Sequence, residues 1–144
     1  MPSKTTEPAA TGLAFNHAMI YSRDVAAAIH FYGDLLGFEI LEEVKTPRST
    51  VYARLKSPGS DTTIALHALP PGQELHTGGV RLYFEVKELE KFCQRLEEAG
   101  VKFSAQPKVM PWGWTHAYLD DPDGHEVSLY KAGEQRLHRT AAST

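Results

Sequence analysis

Apolar positions fall into two rhythms along the chain. Residues 15–21 mix β-branched, aromatic and other apolar side chains, which predicts a half-buried strand. From Val25 the apolar residues Ile29, Phe31, Tyr32, Leu35 and Leu36 recur at helical spacing, with Ser22 or Asp24 placed to cap the start and Gly37 to end the helix. Three strands are then expected, over about 38–45, 50–56 and 62–68, with Pro47 and Pro58-Gly59 in the gaps. After Leu69-Pro70-Pro71-Gly72 the same order returns. A strand at 80–86 leads to a helix at 88–99 with Leu89, Phe92, Cys93 and Leu96 on one side, Gly100 stops it, and strands follow at 101–109, 114–119 and 125–131.

The landmarks repeat at nearly constant spacing. Asp24 precedes Glu88 by 64 positions, Pro58 precedes Pro122 by 64, and Gly37 precedes Gly100 by 63, so the first helical segment is one residue longer than the second. One β-α-β-β-β unit is thus used twice, over 13–69 and 79–131. Strands grouped after a single helix predict an α+β fold, with helices on one face and about eight strands curled into a cupped sheet. Together they form one domain over 13–131, with polar tails at 1–12 and 132–144 expected to be loose. A pocket is expected between the repeats.

Composition narrows the partners. With 42% hydrophobic and 23% charged residues the chain reads as an ordinary globular domain, and a formal charge of −3 suggests neither nucleic acid nor an anionic membrane surface. A small molecule is the default partner. No apolar run reaches membrane-spanning length, residues 1–12 lack the hydrophobic stretch of a secretory signal, and the single Cys93 cannot form an internal disulfide. A cytoplasmic protein is the resulting expectation. His76 and His138 fall in segments expected to be loose and are given no role.

Three stretches carry a family resemblance: Asn16-His17-Ala18-Met19-Ile20-Tyr21-Ser22-Arg23-Asp24, Phe31-Tyr32-Gly33-Asp34-Leu35-Leu36-Gly37-Phe38, and Leu119-Asp120-Asp121-Pro122-Asp123-Gly124-His125-Glu126-Val127. Together they resemble the vicinal oxygen chelate superfamily, which holds glyoxalase I, bleomycin-resistance proteins and extradiol dioxygenases. The resemblance implies the glyoxalase/bleomycin-resistance/dioxygenase fold, a homodimer, and, in metal-dependent members, ligands at four equivalent points. Here those points are His17, Ala65, Arg81 and Ser128. Only His17 is a plausible ligand there, because a catalytic divalent ion needs about three donors and a guanidinium has no lone pair to give.

The expected site is therefore a pocket for a small organic molecule, aromatic or anionic, that works without the standard metal and needs no cofactor. Its candidate ligand-binding residues are His17, Arg81, His67, Trp112 and His116. Arg81 can grip a carboxylate, phosphate or enolate through two parallel hydrogen bonds, or can pair with a neighbour such as Glu85. Trp112, in Met110-Pro111-Trp112-Gly113-Trp114, suits stacking on a flat ligand, whereas Trp114 packs. His67 shares the face of Ala65, and His116 that of Tyr118. Sequestration and metal-free catalysis both remain open. The alternative is a metal-dependent lyase, isomerase or dioxygenase with a displaced ligand set built on His17, His67 and Glu126. Asp34, Asp120, Asp121 and Asp123 read as turn residues.

Overall fold

The computed structural model describes residues 12–133. The elements run β1 (His17–Ser22), α1 (Val25–Ile29) continuing into a π-helical turn (His30–Leu35), β2 (Glu39–Lys45), β3 (Thr50–Lys56), β4 (Thr63–Ala68), β5 (Arg81–Glu85), α2 (Leu89–Glu98), β6 (Phe103–Val109), β7 (Thr115–Asp120) and β8 (Glu126–Lys131). This is β-α-β-β-β twice over. The eight strands divide into two four-stranded mixed sheets, β1-β4-β3-β2 and β5-β8-β7-β6. The repeat extends to the register: His17 lies opposite Thr63 in the first parallel pair, and Arg81 opposite Glu126 in the second.

The extra residue of the first helical segment has a visible home. Asp24 caps α1 by accepting from the Ala27 N–H at 3.2 Å, and Gly37 and Gly100 take the positive φ that terminates each helical segment. A one-residue excess between fixed caps has to be absorbed within the helix. It is absorbed as the π-helical turn, where Phe31 and Tyr32 are both buried. The continuous helix expected from periodicity is therefore α only as far as Ile29.

The core lies between the sheets. Val25, Ala28 and Tyr32 from the first helical segment, Leu89, Cys93 and Leu96 from α2, and Ile20, Leu55, Leu66, Ala117, Leu119 and Leu129 from the strands form one cluster spanning both repeats. Phe38 and Phe84 meet edge to face at 5.5 Å across it. Burial pushes the Cys93 thiol up to about 11, aided by Glu90 and Glu97, so it packs as a small apolar group. Alternation along each strand then sends the other set of side chains to the faces directed away from this core. Among the described residues no helix is long and apolar enough to cross a membrane.

One buried carboxylate ties the repeats together. Asp121 Oδ1 accepts from the backbone N–H groups of Asp123 and His125, both at 2.9 Å. Its Oδ2 accepts from the Tyr32 hydroxyl and His125 Nδ1, both at 2.8 Å. Both oxygens are thus fully used. Burial first, then the Asp121 charge, drives the Tyr32 phenol far above its ordinary range, which keeps it protonated as a donor. Tyr32→Phe is expected to lower stability by about 1.5–3 kcal/mol, because a buried hydrogen bond to a charged group is lost. Urea denaturation measures it, and an unchanged midpoint would show the bond to be energetically idle.

Candidate functional site

The outward faces of the two sheets carry the candidate residues in equivalent places. On the first sheet β1 presents His17, Met19 and Tyr21, β4 presents Thr63, Ala65 and His67, and β3 presents Tyr52, Arg54 and Lys56. On the second, Arg81 and Tyr83 of β5, Glu126, Ser128 and Tyr130 of β8, and His116, Tyr118 and Asp120 of β7 hold the matching positions. His17 and His67 are thus on one sheet, and Arg81 and His116 on the other.

On the first sheet, Arg54 Nη2 lies 3.2 Å from His17 Nε2. A guanidinium can only donate, so Nε2 accepts, and the ring proton sits on Nδ1, which donates to Asn16 Oδ1 at 2.6 Å. The Nε2 lone pair is thereby occupied. His67 Nδ1 donates to the Ala68 carbonyl at 2.7 Å, and its ring meets Tyr21 and Tyr52 edge-on. Ala65, fully buried beneath Met19 and Arg54, offers no donor.

On the second sheet Arg81 is half exposed rather than sunk in a pocket. Its Nε donates to Glu126 Oε1 at 3.2 Å, its Nη1 to the Tyr83 hydroxyl at 3.4 Å, and its plane lies 5.0 Å over the Tyr118 ring. The carboxylate facing it is Glu126, directly opposite in the parallel pair, whereas Glu85 lies two pleats further along β5. A file of parallel rings runs beside it: Trp114 on Tyr130 at 5.4 Å, Tyr130 on His116 at 5.2 Å and His116 on Tyr118 at 5.8 Å. Tyr83 and Trp112 meet the His116 ring edge-on at 6.0 and 5.7 Å. Trp112 is nearly half exposed on the Met110–Gly113 turn, which closes with a 2.8 Å backbone bond, while Trp114 packs in the file.

His116 is buried. Its Nδ1 shares a 3.0 Å hydrogen bond with Ser128 Oγ, while Nε2 has no partner among the described residues. Burial, then the Arg81 charge, holds its pKa below the usual imidazole value.

The donor set does not fit the divalent metal of metal-dependent relatives. Of the four equivalent points, His17 is occupied by Arg54, Ala65 has no donor, Arg81 is a cation and Ser128 is bonded to His116. Within one chain the displaced set is not assembled either, since Glu126 pairs with Arg81 on one sheet while His17 and His67 stand on the other. Asp121, Asp123 and His125 bring donor atoms within 4.8 Å of one another, but the Asp121 oxygens are already consumed by the turn and by Tyr32.

A cleft of about 200 Å³ lies beside Arg81, Tyr118, Asp120 and Glu126. A wider depression of about 410 Å³ runs along the solvated side of α2 near Lys87, Lys91 and Arg95, away from both outward faces. Both are lined by residues of the second repeat alone. His76 is exposed, and His138 lies outside the described residues. Sequence reasoning passed over Arg54 and the tyrosines at 83 and 130. The strand alternation around Ala53 and Leu55, and the 64-residue spacing of Arg54 from Tyr118, are the signals that mark Arg54.

The model of the Glyoxalase/Bleomycin resistance protein/Dioxygenase superfamily matches residues 14–129, and the chain belongs to that superfamily. It is 24% identical over 126 residues to a probable lactoylglutathione lyase of Synechocystis sp., covering 83% of this chain and 96% of that protein. Among solved structures, a superfamily member from Sphaerobacter thermophilus superposes with a TM-score of 0.67 at 27% identity, covering 83% of this chain and 98% of the other. TnmS3, an antibiotic binding protein from Streptomyces sp. CB03234, does so at 0.67 and 26%, covering 84% and 98%.

The depressed His116 pKa gives stability a sign with pH. Above about 6.5 the ring is neutral in both folded and unfolded chains and its contribution is complete. As pH falls through that value the unfolded chain takes up a proton that the folded chain resists, so stability declines until the folded-state pKa is passed. Melting temperatures across this range are expected to fall less steeply for His116→Gln than for the wild type. Parallel curves would show that His116 titrates freely.

Proposed function

We propose that this superfamily member binds a small aromatic or anionic organic molecule against its outward sheet faces, without the superfamily's metal chelate. The observation that carries this reading is the occupation of the four ligand-equivalent points by an arginine-bound histidine, an alanine, an arginine and a histidine-bound serine. In place of donors the second face offers a ring file and a guanidinium, which suit a flat or negatively charged ligand. Likeness to an antibiotic binding protein at 26% identity supports sequestration over turnover.

The binding unit is a homodimer. A cleft of about 200 Å³ is below the roughly 300–1,000 Å³ of ordinary ligand pockets. Leu13, Phe15 and Val80 are 85%, 80% and 68% exposed beside β1 and β5, the end strands of the two sheets. A second copy that sets its β5 edge beside β1 covers these residues and faces His17 and Arg54 of one chain with Arg81 and His116 of the other. The arrangement is self-complementary and closes as a twofold.

Untagged protein should titrate with 1-anilinonaphthalene-8-sulfonate, an aromatic anion, with an affinity that a chelator leaves unchanged, and elemental analysis should find no stoichiometric metal. Bound iron, nickel, zinc or manganese at one per chain, with binding lost on its removal, would overturn the reading. Light scattering should report twice the 16.0 kDa of the chain. Val80→Asp should shift the particle toward 16.0 kDa and weaken the dye about ten-fold or more, since a charge at a closing apolar edge costs a few kcal/mol. A wild-type monomer at all concentrations with undiminished dye binding would exclude the shared site.

A further inference from the structure

His116 is the most unusual polar group on the molecule. It is 5% exposed, its ring lies near-parallel to those of Tyr118 and Tyr130 at 5.8 and 5.2 Å, and its Nδ1 is held by the fully buried Ser128 hydroxyl. Nε2 has no partner among the described residues. A buried imidazole nitrogen left unpaired forfeits free energy comparable to a lost hydrogen bond, so it calls for a partner from outside the chain.

The surroundings restrict what that group can be. Arg81 lies over Tyr118, the next ring in the file, so a second cation is repelled. Arg81 also disfavours imidazolium, so His116 does not hold a ligand by its own charge. Ser128 can donate to or accept from Nδ1, so Nε2 can present either a lone pair or a proton. A hydroxyl satisfies both states, whereas a carbonyl or carboxylate satisfies only one.

The neighbours restrict the rest of the ligand. Trp112, on a four-residue turn and nearly half exposed, and Tyr83, exposed on the edge strand, flank the His116 ring edge-on. Neither belongs to the core cluster. A flat ring packed against them would gain aromatic contact and could turn a ring substituent toward Nε2. A hydroxyl on that ring is a phenol, whose acidity makes it a good donor to an imidazole lone pair and whose developing negative charge the Arg81 field favours.

We infer that the ring file of β7 and β8 is a recognition site for a planar aromatic molecule bearing a phenolic or enolic hydroxyl, held by that hydroxyl at His116 Nε2 between Trp112 and Tyr83. This deepens the proposed small-molecule function and rests on it. Its new content is the hydroxyl and the atom that reads it.

Two probes isolate the hydroxyl: 4-nitrophenol and its O-methylated analogue 4-nitroanisole, each titrated against the full chain by quenching of Trp112 and Trp114, the two tryptophans. The phenol should bind about ten-fold or more tighter than the ether, the cost of leaving a buried partner unpaired. In His116→Phe, which keeps a ring in the file, the two probes should bind equally. Nitrogen-15 NMR of labelled histidine should show the His116 Nε2 resonance moving with 4-nitrophenol and not with 4-nitroanisole. That spectrum decides the matter in the wild type even if the variant fails to fold. Equal wild-type affinities, or an unmoved Nε2 resonance on binding, would overturn the inference while leaving aromatic binding intact. Failure of both probes to bind at millimolar concentration, with the anilinonaphthalene dye still bound, would also overturn it alone. Failure of all three would bring down the proposed function with it.

Discussion

The buried contact between Tyr32 and Asp121 holds the two repeats in one arrangement. A phenol from the first unit reaches a carboxylate in the last turn of the second, and that carboxylate also fixes the turn through two backbone N–H groups and His125. Apolar packing between the helical segments and the sheets supplies cohesion but little orientation, since contact area is largely indifferent to small rotations. A four-acceptor carboxylate is not indifferent. With it satisfied, and with the Arg23 N–H donating to Asp123 Oδ1 at 2.9 Å beside it, the core faces of both sheets are turned inward and their other faces are left outward.

Duplication with exchanged chemistry runs through those outward faces. The pair of positions holding His17 and Arg54 on the first sheet holds Arg81 and Tyr118 on the second, so each sheet sets one guanidinium against one aromatic ring, with the strands swapped. One step along, Tyr52 opposite His67 becomes His116 opposite Tyr130. The backbone is pseudo-symmetric, yet the two faces differ in every polar group that a ligand would meet. The first histidine is saturated by Arg54 and Asn16, and among the described residues the second keeps one nitrogen without a partner.

Much of this was legible in the residues. The offsets of 64 and 63 between Asp24 and Glu88 and between Gly37 and Gly100 carry the unit, its duplication and the odd residue in the first helical segment, because caps and turns depend on local chemistry. The site positions His17, Ala65, Arg81 and Ser128 fall on the outward faces as the strand period requires. What spacing could not carry was the direction in which the sheets face one another, since that is decided by Tyr32 and Asp121, 89 residues apart. For the same reason Arg54 escaped notice: nothing local to β3 reveals that a guanidinium there will reach His17 on a strand two places away.

The filling of the four ligand-equivalent points also bears on how such a chain can change over time. A catalytic divalent ion rewards a protein only when about three donors are present together. Here a donor placed at position 65 would lie beside the Arg54 guanidinium, one at 128 would sever Ser128 from His116, and one at 81 would leave Glu126 without its cation, while His17 would still be occupied by Arg54. Each single step loses an existing contact before any metal is gained. At these four positions a metal site could therefore not be built by single substitutions without first losing a contact the chain already makes.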